Sequence, residues 1–389
     1  LDGGDGRTLA VESRMNPQAQ YGADVIMRAN YALEHGTEAL SMCVRKAVNE
    51  MLGSLAEDAG IRREDVFQVC VVGNTCMHHL FLGISPASLV HAPYTPAVSE
   101  RLVLNAGDYG LAVQERAELI MLSDIAGYVG ADTCGCLLAI RQDQQEEISL
   151  MIDIGTNGEM VLGNRERMVT CSTAAGPAFE GAKIECGMRG AAGAVDHVKY
   201  EDGKWNYTTV GNKPAVGLCG SGLIDLVAGL LDAGMLDENG VLRSGQEKQG
   251  VFILVPPERG GNERGVYLTQ KDLGEVQLAK AAIAAGIQML MERLGITEDD
   301  ICSVYIAGAF GNYMDPVSAG KIGLLPETLV KKVKPVGNAA GEGAKIALVN
   351  EKEMLEMDEL VRKIEFVELA ASADFQDHFI DELGFETGE

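Results

Sequence analysis

The chain contains one passage twice, and an internal repeat constrains architecture before any single residue constrains chemistry. Asp65-Val-Phe-Gln-Val-Cys-Val-Val-Gly73-Asn-Thr75 aligns without a gap on Asp300-Ile-Cys-Ser-Val-Tyr-Ile-Ala-Gly308-Ala-Phe310. Each is an acidic residue, a short apolar run, and glycine where the run must turn. Upstream, residues 8–24 echo residues 168–183, a strand-like run leading into proline, a spacer and Gly-Ala. Downstream, Gly127-Tyr-Val-Gly-Ala-Asp-Thr-Cys-Gly echoes Gly337-Asn-Ala-Ala-Gly-Glu-Gly. Three matched blocks in one order predict duplicated halves, residues 1–147 and 148–389, the second carrying insertions at about 182–216 and 235–270.

The duplication is incomplete. The second half opens with Ile148-Ser-Leu-Met-Ile-Asp153-Ile-Gly155-Thr156-Asn157-Gly158-Glu159-Met-Val-Leu-Gly163, two apolar strands around a polar turn, which reads as a hairpin. Its counterpart should precede Thr8, where only Leu1-Asp-Gly-Gly-Asp-Gly stands. The expectation is a fragment that has lost the first hairpin of its first half. Elsewhere, residues 7–14 read as a strand, 23–59 as one or two helices, 66–72 and 119–122 as strands and 131–140 as a helix. In the second half, strands are expected near 148–154, 159–163, 167–173, 301–307 and 331–336, with helices from Gly220, over about 275–294 and over about 340–350.

A 389-residue chain with 47% hydrophobic residues has ample core, and 47 glycines with 5% aromatics point to many tight turns around an aliphatic interior. A formal charge of −25 repels nucleic acid and anionic membranes. No apolar run approaches the ~20 residues of a membrane span and no signal segment opens the chain, so a cytoplasmic location is expected. The nine cysteines are scattered, and Cys134-Gly-Cys136, the one close pair, supplies too few ligands for a zinc or iron–sulfur centre. His78-His79 point in different directions on a helix, with no acidic third ligand evident, and read as structural.

Four motifs carry chemistry. In Asp153-Ile-Gly155-Thr156-Asn157-Gly158-Glu159, backbone N–H groups can cradle phosphate oxygens while Asp153 holds Mg²⁺ directly or through water; the same residues can also form a plain type I′ hairpin, for which Asn-Gly is favoured. In Tyr305-Ile-Ala-Gly308-Ala309-Phe310-Gly311-Asn312, glycine lets backbone approach an adenine or ribose, or merely turns strand into helix. Gly217-Leu-Cys-Gly220-Ser221-Gly222 is either a helix N-terminus suited to nucleotide or a helix entry packed on a sheet. In Ala175-Gly176-Pro177-Ala-Phe-Glu180-Gly181, Glu180 either orients water or metal or is a solvated loop acid. The P-loop, nucleophile-elbow, zincin and Rossmann patterns are all absent.

Together these features resemble the acetate and sugar kinase, heat-shock chaperone and actin superfamily. That resemblance implies an α/β fold of duplicated actin-like, ribonuclease H-like ATPase halves around a nucleotide cleft. It implies ATP and Mg²⁺ as cofactors, with Asp153, Glu159 and Glu180 catalytic and Asp153 the metal ligand. Gly155, Thr156, Asn157, Gly158, Gly220, Ser221, Gly308, Ala309, Phe310 and Gly311 would bind the nucleotide. Within the superfamily, Asn16-Pro17-Gln18…Gly22-Ala-Asp24, Val72-Gly-Asn-Thr75, Asp153 to Glu159, Gly176-Pro-Ala-Phe-Glu-Gly-Ala182, Cys219-Gly-Ser-Gly-Leu-Ile-Asp225 and Ala307-Gly-Ala-Phe-Gly311 jointly resemble the reductive activators of corrinoid proteins. That family includes activating enzymes of methyltransferase and O-demethylase systems in anaerobes.

The family couples ATP to reduction of cob(II)amide to cob(I)amide in a partner corrinoid protein, with electrons entering through an iron–sulfur domain. The resemblance therefore implies a corrinoid protein as partner and an electron donor acting through a [2Fe-2S] domain not contained in these residues; a homodimer is compatible with it. A small-molecule kinase of the same superfamily is the alternative, though no general base poised at a substrate pocket is evident. A nucleotide-gated partner-binding module without catalysis is the third reading.

Overall fold

The structure, a computed structural model, describes residues 1–243, 250–370 and 372–385, the side chain of Ala309 excepted; residues 244–249 of the 235–270 insertion lie outside the described residues. It comprises two compact units, residues 1–144 with 338–366, and residues 145–337 with 367–389.

In the first unit, Asp24 caps the helix Val25–His35 by accepting from the Met27 amide, and the helix Glu38–Ala59 stops at Gly60 in the left-handed region. The strands are β1 (Gln68–Val71), β2 (Leu102–Asn105) and β3 (Glu118–Met121). They pair in the order β1-β3-β2, with β1 parallel and β2 antiparallel to β3. Leu119 and Met121 of β3 pack with Phe81 and Ala106 in one core, and Leu40, Leu80 and Leu89 form another. His79 is a structural residue: Nδ1 meets the Thr75 carbonyl at 2.8 Å and Nε2 accepts from the Ala97 amide at 2.9 Å. His78 does have an acidic neighbour, buried Asp124, at 3.3 Å.

The expected strand at residues 7–14 is not formed; the segment has no regular structure and Val11 is 75% exposed. A strand needs a neighbour to satisfy its amides, and none of the strands β1 to β3 pairs with it. Residues 338–366 return to the first unit because the helix Ala339–Val349 packs on the helix Ala131–Ile140. They touch at glycines: a β-carbon on Gly343 would fall on the Gly135 carbonyl oxygen, and one on Gly135 would lie 2.6 Å from the Ala340 oxygen.

In the second unit, β4 (Ile148–Ile154), β5 (Gly158–Gly163) and β6 (Met168–Thr173) form an antiparallel meander. The insertions and the residues just after the first supply β7 (Ala194–Glu201), β8 (Lys204–Thr209), β9 (Gly217–Leu218), β10 (Val251–Val255) and β11 (Val266–Thr269), with β7 and β8 pairing as an antiparallel hairpin. Strands β12 (Ile301–Ala307) and β13 (Val333–Gly337) then join β4 in parallel, giving the order β13-β12-β4-β5-β6. The middle of β4, Leu150-Met-Ile152, is buried on both faces and has the unbroken apolar run such a central position requires.

The helix Gln270–Leu294 begins five residues before its expected start because Thr269 and Asp272 form a reciprocal capping box. It lies close on β5 and β6 through glycines. A β-carbon at Gly158 would meet Thr173 Oγ1 at 2.9 Å and Ile283 at 3.2 Å. The helix Gly220–Asp232 seats its first turn on β7, where a side chain at Gly222 would strike the Val195 carbonyl. Among the described residues no helix is long and apolar enough to cross a membrane.

Candidate functional site

The site assembles at the carboxyl ends of β4 and β12, where parallel strands leave a crevice for ligand. Register sets Asp153 beside Ala307 of β12 on one side and opposite Glu159 of β5 on the other. Its carboxylate has no hydrogen-bond or ion-pair partner among the described residues, and burial alone pushes its pKa up to about 6. A cation bound at Asp153 would also be favoured by the Glu159 carboxylate opposite it on the paired strand. Among the described residues no group of three or more His, Cys, Asp or Glu side chains is set to cage a metal. One or two carboxylates completed by water is the donor set of Mg²⁺. The residues therefore fit a hydrated magnesium ion.

This predicts a pH dependence. Asp153 is protonated below about pH 6, so metal affinity should rise through that pH and fall roughly tenfold per unit beneath it, as proton and metal compete for one carboxylate. Mn²⁺ titration followed by electron paramagnetic resonance between pH 4.5 and 7.5 would check it; a flat profile would exclude Asp153 as the ligand.

The β4–β5 connection is Gly155-Thr156-Asn157, closed by the Gly155 amide donating to the Asn157 carbonyl at 2.9 Å. Neither Asn157 nor Gly158 has a positive φ, which a type I′ turn at Asn-Gly would require, and Gly158 already belongs to β5. The loop is instead fastened to the 176–181 turn at two points. Thr156 Oγ1 donates to Glu180 Oε1 at 2.6 Å, and the Gly176 amide donates to the Thr156 carbonyl at 2.8 Å. Glu180 is thus held against the hairpin rather than left as a solvated loop acid.

Gly308 follows β12 with φ 85°, and a β-carbon there would lie 2.9 Å from Asp153 Oδ1. Glycine at this position lets the turn pass beside the carboxylate. Gly308–Gly311 forms one helical turn in which Gly311 fits against Ile306, while the Ala309 side chain lies outside the described residues. The Phe310 ring stacks on Phe179 with centroids 5.6 Å apart and planes 14° apart. Gly220, the first residue of its helix, closes this corner, since a β-carbon would come within 2.8 Å of the Phe310 ring and strike the Phe179 carbonyl.

The predicted residues Asp153, Glu159, Thr156, Glu180, Gly308, Phe310 and Gly220 are therefore linked by contact or register. Ser221 is turned elsewhere: it is 2% exposed and its hydroxyl donates to the Asp196 carbonyl at 2.8 Å, fixing the helix to β7. Sequence reasoning quoted Gly176 and Phe179 within the Glu180 motif without giving them a role, and passed over Ser172, whose hydroxyl reaches Glu159 Oε1 at 3.4 Å. Phe179 was legible, being the single aromatic in the glycine-bounded turn that holds Glu180.

A β-meander continued by parallel strands, with a carboxylate at the end of its first strand, defines an actin-like ATPase fold of the ASKHA class, for which nucleotide binding is implied. Residues 147–389 match the family described as the C-terminal domain of RACo, the ASKHA domain, and residues 1–145 match the RACo middle region. The chain belongs to the RACo family.

Over 393 residues it is 35% identical to the corrinoid activation enzyme RamQ of Eubacterium limosum, covering 96% of this chain and 66% of that one. It is 27% identical over 399 residues to a [Co(II) methylated amine-specific corrinoid protein] reductase of Methanosarcina barkeri, covering 94% of this chain and 71% of that one. A solved structure of a reductive activator for corrinoid, iron-sulfur protein superposes with a TM-score of 0.88 at 37% identity, covering 98% of this chain and 62% of that one. The chain thus spans about two thirds of the length of these relatives.

Proposed function

We propose that this chain is the ATP-binding and ATP-hydrolysing core of an activator that drives reduction of cob(II)amide to cob(I)amide in a partner corrinoid protein. The observation that carries the reading is Asp153, an unpartnered carboxylate with a raised pKa between Glu159 and the Gly308 turn. In this reading Asp153, with Glu159 beside it, holds Mg²⁺. The Gly155–Gly158 turn receives the phosphates, Gly155 shaping it through the hydrogen bond from its amide to the Asn157 carbonyl and the amides of Thr156, Asn157 and Gly158 facing the ligand. Glu180 orients the attacking water, and the Thr156 hydroxyl holds Glu180 in place. Gly308 to Gly311, with Phe310, and the start of the Gly220 helix receive the adenosine. Bound Mg·ATP would supply the phosphoanhydride whose hydrolysis offsets an uphill electron transfer, provided the bound and hydrolysed states favour different conformations.

Electrons would come from a [2Fe-2S] domain outside these residues. We further read the chain as two actin-like halves, residues 1–147 and 148–389 by the repeat, with residues 338–366 of the second half contributed to the first unit, and the first half lacking its opening hairpin. What supports this is the sheet of the first unit: among the described residues β1, the repeat of β12, pairs with β3 on one side and with no strand on the other, where β12 has β4. Residues 7–14, the repeat of β6, likewise have no β5 to pair with.

The test is ATP turnover by the protein with and without a cob(II)amide-loaded corrinoid protein and a low-potential reductant, with cob(I)amide followed by its absorbance. The expected result is turnover that rises with partner and cob(I)amide that forms only with ATP. Phosphorylation of a sugar or acid without effect on the corrinoid would instead establish a kinase.

A further inference from the structure

The formal charge of the chain is −25, and many cations of the first unit are engaged by its acids. Arg14 meets Glu12 and Glu50, Arg62 meets Asp65, Arg101 meets Asp358, and Arg141 meets Asp143 and Glu353. Arg45, Lys46 and Arg63 have no carboxylate at ion-pair distance among the described residues, yet all three line one concavity of about 570 Å³ on the helix Glu38–Ala59.

Two of the three are built in. Arg45 Nε donates to the Phe81 carbonyl at 2.8 Å, and its guanidinium lies over the rings of Tyr109 and Phe81, 5.0 and 5.7 Å from their centroids. The aromatic faces hold the planar group while leaving its remaining N–H donors unspent. Arg63 lies against Gly53, where any β-carbon would collide with its guanidinium. Gly53 leaves room on the helix for that guanidinium to lie close to the backbone. Of the two acids on the same concavity, Glu50 is already engaged by Arg14, leaving Asp108 against three cations.

We propose that this concavity is the docking site for an acidic segment of a partner protein, gripped by Arg45, Lys46 and Arg63. The donors are side chains from two elements, Arg45 and Lys46 from the helix Glu38–Ala59 and Arg63 from the short turn Arg63–Asp65 that follows it, and no backbone amide is needed to complete the set. Compact phosphates are commonly held by backbone amides, whereas carboxylates spaced along a peptide match side-chain donors set on separate elements. The remaining surface repels an acidic partner, which steers approach to the place where the sign reverses. The site lies in the first unit and is independent of nucleotide chemistry in the second, so its failure would leave the ATPase reading untouched.

The test uses the full chain and a fluorescein-labelled octaglutamate peptide, with binding read by anisotropy at low salt and inorganic tripolyphosphate as competitor. Octaglutamate is expected to bind, to weaken steeply with added salt, and to lose at least about tenfold in affinity in the variant carrying Arg45→Gln, Lys46→Gln and Arg63→Gln, equal to about 1.4 kcal/mol. Should the Arg45 change lower the melting temperature, Lys46→Gln with Arg63→Gln alone carries the test, expected to lose severalfold. Absent binding, or binding indifferent to these substitutions, would overturn the proposal. Displacement by less tripolyphosphate than unlabelled octaglutamate would overturn it in favour of a compact polyphosphate site.

Discussion

Asp153→Asn should abolish magnesium-dependent nucleotide binding while making the metal-free protein more stable at neutral pH. The two effects have one cause. In the native fold the Asp153 carboxylate is desolvated without a partner, which raises its pKa from an ordinary value near 4 to about 6. A raised carboxylate pKa means that the folded state resists the charge. The penalty is absent below the unfolded-state pKa, grows as pH rises through the window from about 4 to 6, and is fully present above it. Asparagine never ionises, so the variant should gain about 2 kcal/mol at pH 7, after a discount for partial solvent access, and lose that advantage by about pH 4. Without the charge, Mg²⁺ loses its ligand, and calorimetric titration of Mg·ATP should show affinity down by a hundredfold or more. A variant less stable than wild type at pH 7 would mean that the carboxylate serves the fold, and the reading of it as a metal ligand would be withdrawn.

Gly343→Val should unfold or severely loosen the first unit. The helices Ala131–Ile140 and Ala339–Val349 meet backbone to backbone, and the new side chain would stand where the Gly135 carbonyl oxygen is. Overpacking an ordinary core site costs about 1–3 kcal/mol because side chains shift; here the obstacle is backbone, so a loss at or above the upper end is expected. Gly274→Ala is the control: it sits inside the helix Gln270–Leu294 with nothing within 4 Å of the added carbon, and should stabilise by about 0.5–1 kcal/mol. Thermal melts of both, with limited proteolysis of the first, would measure the contrast. Wild-type stability in Gly343→Val would mean that the two helices separate without penalty.

The parts of this protein that could be read from sequence are those in which a local pattern and its partner both lie in the chain. The hairpin β4–β5 was legible because its alternation of apolar strand, polar turn and apolar strand is self-contained. The strands β1 and β12 were legible because each is an apolar run ended by glycine, and the repeat supplied a second copy of the signal. Residues 7–14 misled for the converse reason: their composition suits a strand, but a strand exists only with a neighbour. The edge strand Leu102–Asn105 is only four residues long, and the helix Glu351–Val361 carries acids at Glu351, Glu353, Glu356, Asp358 and Glu359, so neither was named from sequence. At the candidate site, the residue types of Asp153, Glu180 and Gly308 announced themselves. The stacking of Phe179 on Phe310 and the turning of Ser221 toward β7 are products of tertiary packing, invisible to spacing.

The return of residues 338–366 to the first unit also orders events in time. A ribosome delivers residues 1–144 early, but the helix Ala339–Val349, which covers the Gly135 face of the helix Ala131–Ile140, is made only after β4 through β13 have emerged. Domains usually finish folding from the N-terminus as synthesis proceeds. Here the unit begun first cannot be finished until the second is nearly complete, so the nascent first unit waits with a glycine-lined apolar helix face uncovered. Expression of residues 1–144 alone would perpetuate that intermediate, and a soluble version of the first unit would have to carry residues 338–366 grafted behind them.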